Sequence, residues 1–151
     1  MDGKIGSKRK RALTLLETII AIGLLAMATL SLLTIIVSGM KMMQRSNEVA
    51  AASDVARSTL EAIKRDFKAH GMSALPPDEF TFDGRDPEPD EVDLSGPVAF
   101  PPQPYPRVTV GGQTYFVGIE GRSEGTRVKR VKVNIFWDDD TPLVLEALLH
   151  P

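Results

Sequence analysis

Residues 13–40 read LTLLETIIAIGLLAMATLSLLTIIVSGM, and Glu17 is the only charged residue among them. From Thr18 to Met40 no residue is charged. A helix rises about 1.5 Å per residue, so this stretch is long enough to cross a hydrocarbon core of roughly 30 Å. The sequence therefore predicts one transmembrane helix close to the N-terminus.

The two sides of this apolar stretch differ in charge. Residues 1–12 read MDGKIGSKRKRA and contain five basic residues against one acid, Asp2, whereas only Lys41 and Arg45 follow closely after the stretch. Basic residues favour the cytoplasmic side of a membrane. We therefore expect a cytoplasmic N-terminus and an exported C-terminal part.

A cleaved secretory signal and an ordinary signal anchor are the two other interpretations of this region. Ala26-Met27-Ala28 has the small-residue pattern at which secretory signal peptides are cleaved, but the apolar stretch continues to Ile36 and contains Glu17. An ordinary signal anchor accounts for everything except Glu17. A lone carboxylate in lipid costs about 2.5–3.5 kcal/mol on insertion scales, although less near the interface, and it usually has a partner and a role.

The hexapeptide Ala12-Leu13-Thr14-Leu15-Leu16-Glu17 resembles the prepilin, or class III, signal motif. That motif combines a basic leader, a small residue before the cleavage point, a Thr-Leu pair and a glutamate at the fifth mature position. The resemblance covers residues 8–40. Ala12 stands where glycine is commoner, and Leu13 stands where phenylalanine or methionine is commoner.

The resemblance implies a processing route and a set of partners. A prepilin peptidase would cut between Ala12 and Leu13 on the cytoplasmic face and methylate the new amine of Leu13. Glu17 would be an assembly contact that compensates the amine of a neighbouring subunit, because close pairing offsets the cost of desolvating two charges. The implied partners are other pilin or pseudopilin subunits, the peptidase and an inner-membrane assembly platform. The implied location is the bacterial inner membrane, with a periplasmic C-terminal domain, and after assembly a pilus or pseudopilus.

The apolar helix is predicted to continue past the membrane, to about Ala69. Apolar residues recur at helical spacing on one face, at Val49, Ala52, Ala56, Leu60, Ile63 and Phe67. Gly71 is a candidate C-cap, and Pro76-Pro77 prevents further helix. The stripe is expected to pack against the rest of the domain.

Residues 71–106 contain nine of the eleven prolines and many acids, which predicts an extended, partly ordered connection. Its apolar residues, Phe80, Phe82, Val92, Leu94, Val98 and Phe100, are expected to touch the domain. Calcium binding by the acidic cluster is an alternative, since calcium prefers oxygen ligands, but no EF-hand spacing is present.

From Arg107 onward the apolar residues alternate with a period of two. A hairpin is predicted around Gly111-Gly112, a loop from Gly118 to Gly125, a strand ending at Trp137, an acidic turn over residues 138–142 and a last strand from Leu143. The fold class is α+β and pilin-like, a long N-terminal helix on an antiparallel sheet of about four strands. The predicted organisation is a leader over 1–12, an assembly helix over 13–40, its amphipathic continuation over 41–70, the connection over 71–106 and the sheet over 107–151.

The composition argues against an enzyme. The chain has no cysteine and only two histidines, far apart, so no cofactor or metal site is predicted. It has no glycine-rich phosphate loop, HExxH or GxSxG motif. The net charge of -2 gives no reason to expect nucleic-acid binding, although Arg127, Lys129, Arg130 and Lys132 form a modest basic stripe.

We interpret the sequence as a minor pilin or pseudopilin of a type IV pilus or type II secretion machine. The C-terminal order of a strand, Trp137, an acidic turn and a last strand is also weakly similar to the V-type minor pilins and I-type pseudopilins. No proline lies between Leu13 and Leu75, and Thr34 stands where many major pilins have a helix breaker. This favours a tip or initiating subunit. The alternatives are a single-pass periplasmic binding or scaffold module and a DNA-uptake pseudopilin.

Overall fold

The computed structural model describes residues 5–86, 88, 96–125, 127–138 and 142–150, with side chains from Thr14 onward. These residues form a long helix, a 3₁₀ turn over Gly71–Ala74 and five strands. The helix is α1 (Ile5–His70), and the strands are β1 (Phe80–Asp83), β2 (Arg107–Val110), β3 (Gln113–Ser123), β4 (Lys129–Phe136) and β5 (Leu143–Leu149). The predicted α+β class is confirmed. The chain divides into two units after Arg45.

Helix α1 is continuous and longer than predicted at its N-terminal end. It begins at Ile5, within the predicted leader and not at residue 13, and ends at His70, one residue after the predicted Ala69. Gly71 follows with a φ of 64°, a left-handed conformation that glycine adopts without a steric penalty. The predicted glycine C-cap is therefore confirmed.

The second unit, from Ser46 onward, contains an antiparallel sheet in the order β1-β3-β4-β5, and β2 also pairs with β3. β3 is the longest strand: its first part pairs with β2 and its later part with β1. The predicted hairpin joins β2 to β3, and both of its turn glycines, Gly111 and Gly112, have positive φ. The sheet thus has one strand more than predicted.

One face of α1 packs against this sheet in a single core. Of the predicted stripe, Ala52, Ala56, Leu60, Ile63 and Phe67 are buried, together with sheet residues such as Val117, Ile119, Val131, Val133 and Ile135. Val49 is 43% exposed, so its assignment to the packed face was wrong. Val55 and Thr59 are buried instead. The hydroxyl of Thr59 donates to the carbonyl of Val55, so burial leaves no unsatisfied donor there.

The additional strand, β1, lies inside the segment that the prolines marked as a connection. Phe80 and Phe82 alternate with polar residues, a pattern that suits an edge strand, and they pair with Gly121 and Ile119 of β3. The rings of Phe80 and Phe82 lie 5.1 Å and 5.5 Å from that of Phe100, which is buried. Aromatic packing therefore fixes the described part of this segment on the domain. Val92 and Leu94 lie outside the described residues.

Glycines 118 and 121 are part of β3 and not of a loop, contrary to prediction. A Cβ atom added to Gly121 would lie 2.1 Å from the ring of Phe80, its partner across the strands. A glycine here allows the aromatic ring to lie across the neighbouring strand. Gly125 alone of the three has a positive φ, at 123°, and lies in the turn between β3 and β4.

Three backbone segments meet at Gly84, directly after β1. The amide of Gly84 donates to the carbonyl of Val117 at 3.0 Å, and the amide of Val117 donates to the carbonyl of Pro106 at 2.9 Å. A Cβ atom on Gly84 would lie 2.0 Å from the Pro106 oxygen and 2.7 Å from the Val117 oxygen. Only glycine allows β1 and the start of β2 to meet at the middle of β3.

Lys129 fastens the segment after α1 to the sheet. Its side chain is almost fully buried, at 2% exposure, and its ammonium donates to the backbone carbonyls of Pro76, Pro77 and Asp78. Burial lowers the pKa of Lys129, and the charge of Asp78 opposes this effect. The three carbonyl acceptors provide the polar contacts that a buried ammonium requires.

We predict that Gly84→Ala lowers the unfolding free energy of the second unit by about 3 kcal/mol, because the added methyl group overlaps two carbonyl oxygens. The matched control is Gly96→Ala, where the added Cβ atom would make only ordinary contacts, the nearest at 3.5 Å. Urea unfolding of the full chain in a neutral detergent, followed by fluorescence of Trp137, measures both. Equal effects of the two variants would refute the role of Gly84.

We predict that Lys129→Met lowers the unfolding free energy by about 2 kcal/mol, because three carbonyl groups lose their shared donor. Lys132→Met is the control, since Lys132 lies on the same strand, is only half-buried and makes no hydrogen bond or ion pair within the described chain. The same unfolding assay applies. A loss no larger than that of the control would show that Lys129 does not hold the segment.

Candidate functional site

The surface of α1 in the first unit is apolar and uncovered. Every described side chain from Thr14 to Ser46 is exposed, and the large apolar residues between Leu15 and Met43 are 45–74% exposed. By length and composition the helix is long and apolar enough to cross a membrane. Such a surface is not stable in contact with water and needs lipid or other protein around it.

The hydroxyl groups of this apolar surface are mostly satisfied by the helix itself. Thr18 donates to the carbonyl of Thr14 at 2.8 Å, and Thr29, Ser31 and Thr34 make equivalent bonds to carbonyls three or four residues earlier. Such bonds allow a hydroxyl to enter an apolar environment at low cost. These residues are therefore compatible with lipid or with a packed helix interface.

Glu17, unlike these hydroxyl groups, is not satisfied by a hydrogen bond among the described residues of the helix. Its side chain is exposed, and no ion pair or hydrogen bond to it exists within the described part of the chain. An isolated carboxylate in an apolar environment is costly. A cation from outside the described residues is thus the group that would stabilise Glu17 once this surface is covered.

The predicted cleavage and methylation residues, Ala12 and Leu13, lie within the helical backbone of α1, but their side chains are outside the described part. The same holds for the four basic residues of the leader next to them, whose backbone is helical and whose side chains are not described: Lys8, Arg9, Lys10 and Arg11. The structure therefore places Glu17 in an uncovered apolar surface and leaves the cleavage of the leader as a prediction.

The predicted basic stripe is not assembled on the sheet. Lys129 points into the domain, while Arg130 forms ion pairs with Glu124 and Glu146 on the opposite face. The alternation of β4 explains the separation, because neighbouring residues of a strand face opposite sides. Lys129 shares its side with Val131 and Val133, a signal that the sequence already contained. The four cations therefore do not form one surface for nucleic acid.

The possible calcium ligands are only partly within the described chain. Asp83 pairs with Arg85 at 2.8 Å, and this guanidinium lowers the pKa of Asp83. Among the described residues no group of three or more acids and histidines is placed to hold a metal ion. Asp90, Glu91 and Asp93 lie outside them, as do Asp139 and Asp140 of the predicted turn.

Known proteins offer no direct guide to this chain. It matches no model of a known protein family. No curated protein and no solved structure matches it either. The pilin resemblance therefore depends on the N-terminal residues and on the layout of the fold.

Proposed function

We propose that this chain is a minor pilin or pseudopilin, a structural subunit of a type IV pilus or type II secretion fibre. Its leader would be removed by a prepilin peptidase between Ala12 and Leu13, and the new amine of Leu13 would be methylated. Before assembly, the mature chain would be anchored in the bacterial inner membrane, with its sheet domain in the periplasm. From there it would enter a fibre by lateral packing of its apolar helix.

The main support is the combination of an uncovered apolar helix with a single charge near its start. The exposed surface from Leu15 to Met43 suits both a bilayer and a bundle of like helices. Glu17 lies four residues after Leu13, about one helical turn. In a staggered bundle the amine of one subunit and the carboxylate of the next would neutralise each other, which favours one register of stacking.

The continuous helix supports a tip or initiating position within the fibre. α1 is a single element from Ile5 to His70, and the sequence has no proline within it. A helix without a breaker resists the local melting that would let a subunit adapt to a repeating shaft. A subunit with such a helix is suited to the tip or to an initiating complex, where few copies are needed.

The main rival is a single-pass periplasmic binding or scaffold module, which would use the same helix only as an anchor. It gives no role to Glu17 and requires no processing. A DNA-uptake pseudopilin remains the second alternative. It would need a cationic surface elsewhere, because the basic stripe on β4 is divided between two faces.

We predict that a prepilin peptidase cleaves the chain after Ala12 and methylates Leu13. Co-expression with the peptidase, followed by mass spectrometry, should give residues 13–151 with one added methyl group. Ala12→Asp should prevent cleavage, whereas Ala28→Asp, which alters the alternative secretory site, should leave it unchanged. An intact N-terminus would favour the anchored module, and cleavage after Ala28 would favour a secretory signal.

We predict that Glu17→Gln leaves processing and membrane insertion intact but lowers incorporation into the fibre at least tenfold. The neutral amide has nearly the same size but leaves the neighbour's ammonium unpaired, a loss of the order of 3 kcal/mol. The measurement is the fraction of the chain in purified fibres from a host with the complete machine. Glu17→Asp, which keeps the charge, is the control and should retain more incorporation.

Two results would contradict this role of Glu17. Unchanged incorporation of Glu17→Gln would show that the charge is incidental. Loss of membrane insertion in the same variant would show that Glu17 acts before assembly.

A further inference from the structure

Strand β5 forms an open edge of the sheet. It pairs with β4 on one side, and no other strand in the described part of the chain pairs with its second side. Its sequence, LVLEALL, has no proline, lysine or glycine, and its single charge is Glu146. Proteins usually protect an edge of this kind with charges, prolines or bulges, because it can pair with another chain.

The hydrogen-bond pattern shows which backbone groups of β5 remain available. The amide of Glu124 donates to the carbonyl of Val128, and the register continues without interruption through β4 and β5. Because bonded and unbonded residues alternate in antiparallel strands, the odd-numbered residues of β5 bond to β4. The amides and carbonyls of Val144, Glu146 and Leu148 therefore point outward.

A groove lies directly beside this edge. It has a volume of about 470 Å³ and runs between the end of α1 and the end of β5. Phe67 and Leu149, which are buried, give it an apolar lining. Leu148 also borders it, and its side chain, 53% exposed, lies on the other face of the sheet at the same edge, because Leu148 pairs with Arg130. The apolar side chains would contribute binding energy to any segment that lies along β5.

The charges around the groove have one sign. Lys64 and Lys68 line it, and none of the lining residues is an acid. Lys64 and Lys68 have no ion-pair partner within the described residues. The nearest acid on β5, Glu146, is paired with Arg130. The groove therefore complements a negatively charged segment.

We propose that β5 and this groove bind an extended acidic segment of another protein, which adds a strand to the sheet. Its backbone would pair with Val144, Glu146 and Leu148, its carboxylates would lie near Lys64 and Lys68, and its apolar side chains would lie beside Leu148. This proposal does not depend on the pilin assignment, since it uses only the sheet domain and the second half of α1.

A second copy of this chain fits the edge less well. The antiparallel register in which β5 overlaps fully with its own copy places Glu146 opposite Glu146, and like charges directly opposite each other are unfavourable. A second copy also presents the same apolar strand and supplies one carboxylate where the groove offers two lysines. Charge complementarity thus favours an acidic partner.

The test uses an end-blocked, fluorescent peptide of alternating valine and glutamate, added to the full chain in a neutral detergent. Fluorescence anisotropy should show saturable binding that weakens as salt is added. The same peptide with lysine in place of glutamate should bind at least tenfold more weakly. A version with alternate backbone nitrogens methylated should also lose binding, because it cannot complete the ladder.

Variants of the protein test the two parts of the site separately. Lys64→Glu with Lys68→Glu should weaken binding at least tenfold, whereas the control pair Arg107→Glu with Arg127→Glu, which changes exposed cations away from the groove, should leave it within twofold. Leu148→Pro removes one outward amide without touching the β4 ladder and should abolish binding. Trp137 fluorescence checks that each variant is folded, and the methylated peptide tests the edge without any variant.

Three results would overturn the proposal. They are equal binding of the glutamate and lysine peptides, no binding of either peptide at millimolar concentration, and a dimer of the chain that Leu148→Pro dissociates. The last result would assign the edge to a second copy.

Discussion

The apolar surface that α1 leaves uncovered is the constraint on which the rest of this protein depends. From Leu15 to Met43 the described residues of the chain leave its large apolar side chains exposed, and the hydroxyl groups of Thr18, Thr29, Ser31 and Thr34 are bonded within the helix. The hydrophobic effect requires lipid or neighbouring helices around such a surface. Between residues 13 and 40 Glu17 is the one charge, so whatever covers this part of the helix has to accommodate a carboxylate.

In the second unit the same helix is covered by the chain's own sheet. Beyond Ser46 the helix becomes amphipathic and covers one face of the sheet, whose apolar side chains it removes from water. Two local devices hold the proline-rich segment to this core: the glycine at position 84, where three backbones meet, and the buried ammonium of Lys129. The sheet still has an edge at β5 that its own described residues do not cover.

Much of this arrangement could be predicted from periodicity. The spacing of three and four residues identified Ala52, Ala56, Leu60, Ile63 and Phe67, and the Gly-Gly pair identified the hairpin, because both signals are local. Strand β1 was missed because the surrounding prolines concealed a short aromatic alternation. Gly118 and Gly121 were misassigned because the rings that cross them come from distant parts of the chain. The cleavage site and the role of Glu17 came from the family resemblance and stay predictions.

The most direct measurement is zero-length cross-linking at Glu17 in assembled material. A hydrophobic carbodiimide would activate this carboxylate and join it to an amine in contact with it. We expect mass spectrometry of the digested product to show an amide between Glu17 of one chain and the amino group of Leu13 of another chain. Glu17 left without a cross-link to another chain, in material that still begins at Met1, would contradict it.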